Sequence, residues 1–127
     1  MVDSMIDHTG IRVTDMAKSV AFYTAALAPL GYTLLHQVPG GAGFGAQGKA
    51  DFWLSDAAPP ADKIHIAFRA IGRQIVRDFH AAALAAGAAD NGAPGLRPRY
   101  HEHYYGGFVR DPDGHNIEAC CHEAFLG

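Results

Sequence analysis

Between Met5 and Val13 (MIDHTGIRV) apolar and polar residues alternate and β-branched residues recur, which predicts a strand. Asp15 stands where a helix N-cap belongs, and the spacing after it predicts a helix from Met16 to Ala28, stopped at Pro29. GYTLLHQV, Gly31 to Val38, predicts a second strand. Pro39 to Gly48 is rich in glycine and predicts a loop with a short strand through Phe44. ADFWLSD, Ala50 to Asp56, predicts another strand. AAPPAD, Ala57 to Asp62, interrupts every period and marks an internal boundary.

Beyond that boundary the order begins again. KIHIAFRA, Lys63 to Ala70, predicts a strand, and Ile71 to Ala86 predicts a helix with apolar spacing at Ile75, Phe79, Ala82 and Ala86, ended by Gly87. A loop containing Pro94 and Pro98 leads to the Tyr100–Val109 region. FVRDPDGHNIEACCH, Phe108 to His122, then reads as strand, tight turn and strand. At one fixed offset His8 falls on His65, Arg12 on Arg69 and Phe22 on Phe79. Ala25 to Ala28 fall on Ala82 to Ala85, although alanine matches carry little weight in an alanine-rich chain. The chain therefore reads as a duplicated βαβββ-type unit, module one at about 5–56 and module two at about 63–123.

Alternation assigns faces. His8, Gly10 and Arg12 share one side of the first strand; Ile11 and Val13 share the other. In the fifth strand His65, Ala67 and Arg69 oppose Ile64, Ile66 and Phe68. In the last strand Asn116, Glu118, Cys120 and His122 oppose Ile117, Ala119 and Cys121. A duplicated unit that pairs with its copy brings equivalent faces together, so His8 and His65 are expected near one another, with Glu118 on the same side. Two imidazoles and one carboxylate with open positions suit a divalent metal. The plainer alternative is a pair of hydrogen-bonded histidines and a solvated carboxylate. Patterning leaves both open, but packing alone does not call for a histidine twice.

Composition narrows the classes. The chain has 127 residues, 49% apolar and 18% charged, with a net charge of −3. That is a globular balance and gives no reason to expect nucleic acid or an anionic membrane as partner. No apolar run approaches the ~20 residues that span a bilayer, and the first residues, MVDSMIDH, show no signal-peptide pattern. Cys120 and Cys121 are adjacent, and strand neighbours point to opposite faces, so a disulfide between them is unfavourable. A cytoplasmic protein is expected.

IDHTGIRVTDMAKSVAFYTAALAPLGY, HIAF and DPDGHNIE resemble the vicinal oxygen chelate superfamily, the group of glyoxalase I, bleomycin-resistance proteins, fosfomycin-modifying transferases and extradiol dioxygenases. The resemblance covers essentially the whole chain. It implies an α+β fold in which two paired βαβββ modules form a curved mixed sheet around a cleft, with helices on the outer face. It implies that His8, His65 and Glu118 correspond to the metal ligands of the first, fifth and eighth strands. Many members add a fourth ligand from the fourth strand; Asp51-Phe52-Trp53-Leu54 offers no obvious inward carboxylate, with Asp51 and Asp56 left open by register.

The expectation that follows is a small divalent-metal enzyme of the glyoxalase type, a lyase, isomerase or thiol transferase, working as a homodimer on a small oxygenated substrate. The metal is left open among Zn²⁺, Mn²⁺, Fe²⁺ and Ni²⁺. The alternative is a non-catalytic bleomycin-resistance-type protein that sequesters a ligand in the cleft. Arg12 and Arg69 are candidate contacts for an anionic substrate group. Tyr100, Tyr104, Tyr105 and Trp53 are candidate cleft walls. His101 and His103 form an HxH pair that suits a metal or simply decorates a loop. Asp111-Pro112-Asp113-Gly114 is a tight turn that sets the register of the last strand.

Overall fold

The computed structural model describes residues 5–124. Module one comprises β1 (Thr9–Arg12), α1 (Met16–Ala26), a short 3-10 turn (Ala28–Leu30), β2 (Thr33–Val38), β3 (Gly41–Ala46) and β4 (Lys49–Ser55). Module two comprises β5 (His65–Arg69), α2 (Arg73–Ala85), β6 (Ala89–Leu96), β7 (Tyr105–Arg110) and β8 (Asn116–Cys121). The strands form two four-stranded mixed sheets of the same topology, β1-β4-β3-β2 and β5-β8-β7-β6. The first strand of each module is parallel to the last, and the other neighbours are antiparallel. This α+β arrangement matches the paired βαβββ modules expected from the repeat.

Each helix covers its own sheet with residues spaced i, i+3, i+4 and i+7. α1 buries Ser19, Phe22, Tyr23 and Ala26; α2 buries Val76, Phe79, His80 and Ala83. Phe22 and Phe79, matched in the repeat, thus occupy equivalent core positions, each contributing roughly 1.5–3 kcal/mol by burial. Asp15 caps α1 by accepting from the Lys18 N–H at 3.1 Å. The predicted apolar faces of β1 and β8 lie in this core: Ile11 and Val13, and Ile117, Ala119 and Cys121.

Three elements depart from the sequence expectation. The first strand is short: its ladder with β4 starts at Thr9, so His8 precedes the strand and does not sit within it. The glycine-rich segment is largely strand β3, because glycine is what lets its neighbours approach. A Cβ on Gly43 would lie 2.8 Å from the Trp53 ring, and one on Gly45 would lie 1.7 Å from the Lys49 carbonyl oxygen. Ala89–Leu96 (ADNGAPGL), expected as loop, is the edge strand β6, whose bulged ladder to β7 tolerates Gly92 and Pro94.

The DPDGH turn does more than set register. Asp111 accepts from the Tyr23 hydroxyl of α1 at 2.5 Å and from the His115 N–H at 2.8 Å. Asp113 accepts from the Thr14 N–H through both oxygens, at 3.1 and 3.2 Å. His115, 1% exposed, donates from Nε2 to the Arg12 carbonyl at 2.9 Å and accepts at Nδ1 from the Ile64 N–H at 3.1 Å. Tyr23, Thr14 and Arg12 belong to module one. The turn is a clasp that fastens module two onto module one.

Candidate functional site

His65 opens β5 and Glu118 lies mid-way along β8, the strand beside it. The parallel register sets Ala67 opposite Glu118, so the side chain of His65, one step back on the same face, meets the carboxylate. His65 Nε2 is 3.1 Å from Glu118 Oε1, while the Tyr104 hydroxyl donates to Oε2. Glu118 is 2% exposed, so these two groups answer the cost of burying a carboxylate. Burial first, then the bond to Glu118, holds the Tyr104 phenol far above its ordinary range, so it acts as donor and not as phenolate.

The tautomer of His65 sharpens this geometry. Its Nδ1 lies 3.0 Å from the Asn116 carbonyl, to which it must donate, so Nε2 of the neutral ring carries a lone pair. A lone pair then faces a carboxylate oxygen, a contact that only a proton or a cation stabilises.

His8 and His65 line the same cleft, of about 540 Å³, where the start of β1 faces the edge of β5. Asp7, Tyr32, Asp51 and Arg69 share its wall. His8 is 63% exposed and its Nδ1 is turned to the Asp7 carboxylate at 2.8 Å. Its ligand atoms do not close with those of His65 and Glu118. Among the described residues, the group of three His, Cys, Asp or Glu whose ligand atoms lie within 4.8 Å of one another is Asp111, Asp113 and His115. Both nitrogens of that histidine are already engaged in the clasp, so metal binding there would sever the link between modules.

The remaining candidates divide. Arg69 lines the cleft and is paired with Glu123. Arg12 lines a separate recess of about 270 Å³ with Ile64 and His115 at the other end of the seam, so it does not accompany His8 as alternation suggested. Tyr105 turns to α2, under Arg73 and Arg77, and not into the cleft, because it shares the helix-facing side of β7. Tyr100 is 52% exposed and packs edge-on against Tyr104. Trp53 is half-buried and stacks on His36 at 5.6 Å. The HxH pair splits: His101 contacts His122, while His103 lies 3.8 Å from Glu102.

Sequence reasoning passed over Asp51 as anything but an open register question, and Tyr32 altogether. The Tyr32 hydroxyl donates to Asp51 Oδ2 at 2.8 Å, and burial raises its pKa well beyond the ordinary phenol range, the bond to Asp51 adding to the effect. Asp51 Oδ1 is buried without a partner in the wall of the cleft. The signal available in sequence was weak: one aspartate in an apolar strand.

The fold and this cleft define a two-module oxygen-chelate protein, and comparison with known proteins agrees. The model of the Glyoxalase/Bleomycin resistance protein/Dioxygenase superfamily matches residues 5–119, and the chain belongs to that superfamily. A glyoxalase/bleomycin resistance protein from Albidiferax ferrireducens T118 is 27% identical, with 93% of this chain and 99% of that one covered and a TM-score of 0.83. The lactoylglutathione lyase of Agrobacterium tumefaciens shares the fold at 19% identity and a TM-score of 0.69, over 95% of this chain and 96% of that one. A putative glyoxalase from Bacillus halodurans does so at 21% and 0.70, over 94% and 96%. No curated protein matches the sequence. Among the described residues no helix is long and apolar enough to cross a membrane.

Proposed function

We propose that the protein is a divalent-metal-dependent enzyme of the glyoxalase type, with His8, His65 and Glu118 as the protein ligands. The observation that carries this reading is the contact between His65 Nε2 and the buried Glu118 carboxylate, with His65 Nδ1 turned to the Asn116 carbonyl. Second support is the unpartnered Asp51 Oδ1 in a cleft wall shared with both histidines. A ligating histidine that donates its other N–H to a backbone carbonyl is the usual arrangement at metal sites.

When bound, the metal would act as a Lewis acid on neighbouring substrate oxygens. The chain's own groups do the rest. Tyr104 holds one Glu118 oxygen, fixing the carboxylate's orientation. Arg69 offers a cation to an anionic substrate group once Glu123 gives way. The cleft volume suits a small molecule, and a homodimer is the working form we expect. Glu118 is the candidate group for proton transfer at the substrate.

The test is metal content in protein prepared without added metal and again after reloading with Zn²⁺, Mn²⁺, Fe²⁺ or Ni²⁺. Near-stoichiometric metal that disappears in Glu118→Gln supports the reading; none retained in either sample sinks it. A second reading, ligand sequestration without catalysis, is favoured by His8 turning to Asp7 and by the half-buried Trp53 stacked on His36. Thermal stabilisation by an aromatic drug-like compound in chelator-treated protein, with no response to metal, would select it.

A further inference from the structure

Beyond Glu118, the same face of β8 continues with Cys120, and His122 follows immediately after the strand. Residues two apart on a strand share a face, so the thiol and the imidazole project side by side. Cys120 Sγ lies 3.8 Å from His122 Nε2. The other nitrogen of His122, Nδ1, contacts His101 Nε2, and the two rings stack at 4.7 Å. Tyr104 packs edge-on against both rings, at 5.3 and 5.1 Å, and its hydroxyl lies between the Glu118 carboxylate and the Cys120 thiol, bonded to both. Cys121 points the other way, into the core.

We propose that Cys120 and His122 form a second, softer cation site of the zinc class, with His101 as its orienting partner. With a metal–sulfur bond of about 2.3 Å and a metal–nitrogen bond of about 2.0 Å, two tetrahedral ligand atoms stand roughly 3.6 Å apart. The observed 3.8 Å fits that span with little movement. Sulfur and imidazole nitrogen select a thiophilic ion, whereas the nitrogen and carboxylate set around Glu118 does not. The tautomer in which His122 Nδ1 donates to His101 Nε2 is the one that presents Nε2 to the metal. Two protein ligands leave positions for water or for a substrate thiol.

The probe is Co²⁺ as an optical stand-in for Zn²⁺, titrated into the full chain without oxygen. The expected result is a near-ultraviolet sulfur-to-cobalt band that saturates at one equivalent and is reversed by Zn²⁺. Cys120→Ser abolishes it, Cys121→Ser keeps it, and His101→Ala shifts its midpoint about tenfold. His122→Ala, at a half-buried position, also abolishes it and decides the matter if Cys120→Ser fails to fold. No band in the wild type, or a band that survives Cys120→Ser or His122→Ala, overturns the proposal. So does a band lost in Glu118→Gln, which would make the two sites one. If Glu118→Gln leaves total metal uptake unchanged while the band remains, the reading of the Glu118 site falls and this one stands.

Discussion

The two modules repeat one plan and carry different chemistry at equivalent places. In module two Glu118 lies opposite Ala67, two residues past His65. In module one the residue opposite Gly10, two past His8, is Trp53. Where one copy places a buried carboxylate, the other places an aromatic ring. The histidines differ as well: His65 is held at both nitrogens, by Asn116 and Glu118, while His8 stands outside its strand and turns to Asp7. A duplication thus supplies one scaffold twice, and each copy has specialised: one places a buried carboxylate beside its histidine, the other an aromatic ring.

The largest expected effect tests whether the modules are joined as described. His115→Ala removes a donor to the Arg12 carbonyl and an acceptor for the Ile64 N–H, leaving both backbone groups without that partner. A loss of about 3 kcal/mol is expected in urea unfolding; a loss under about 1 kcal/mol would mean that the clasp is decorative. Glu118→Gln follows. Affinity for Zn²⁺ by calorimetry should fall at least about a hundredfold, or roughly 2.7 kcal/mol, and unchanged affinity would remove Glu118 from the proposed site.

Tyr23→Phe probes the clasp from module one and should cost about 1.5 kcal/mol near neutral pH. Burial, reinforced by the Asp111 carboxylate, holds the Tyr23 phenol well above its ordinary range. Its folded value therefore exceeds the unfolded value of about 10. The stabilisation is full below that pH and drains away as pH rises toward the folded value. Stability measured above pH 10 should fall less steeply in Tyr23→Phe than in the wild type; parallel curves would refute the assignment. The smallest effect sharpens the asymmetry itself. Trp53→Glu places a second carboxylate at the position equivalent to Glu118, and metal affinity should rise about tenfold. No gain would mean that this position does not reach the shared cleft.

Much of the architecture was legible because it follows from short-range rules. Period-2 alternation in β1, β5 and β8 assigned their core faces correctly, since one wrong step would have buried His65 in place of Phe68. The Phe22 and Phe79 match found the two helices as copies. β6 was not legible: an edge strand needs only one partner, so ADNGAPGL lacks both alternation and β-branched residues. β3 was half legible, because its glycines answer the Trp53 ring and the Lys49 backbone, which come from the next strand.

The candidate site divides in the same way. Residue type and alternation put His65 and Glu118 on one side, while the pairing of β5 with β8 sets them next to each other. They named Tyr104 as a cleft wall and not as the donor to Glu118, because the loop that carries it returns to Glu118 by a path that no periodicity encodes. They misdirected Arg12 and Tyr105, whose surroundings come from the other module and from α2. They read the DPDGH turn as a local device, whereas its donors and acceptors are met about a hundred residues earlier in the chain. What the sequence by itself determined is the repeat, the faces of β1, β5 and β8 and the ligand types on offer, because these rest on residue identity and on local periodicity. Only the tertiary structure decided which of those ligands meet, since a contact across the seam depends on how two sheets are clasped, and that is settled by packing and buried hydrogen bonds between distant segments.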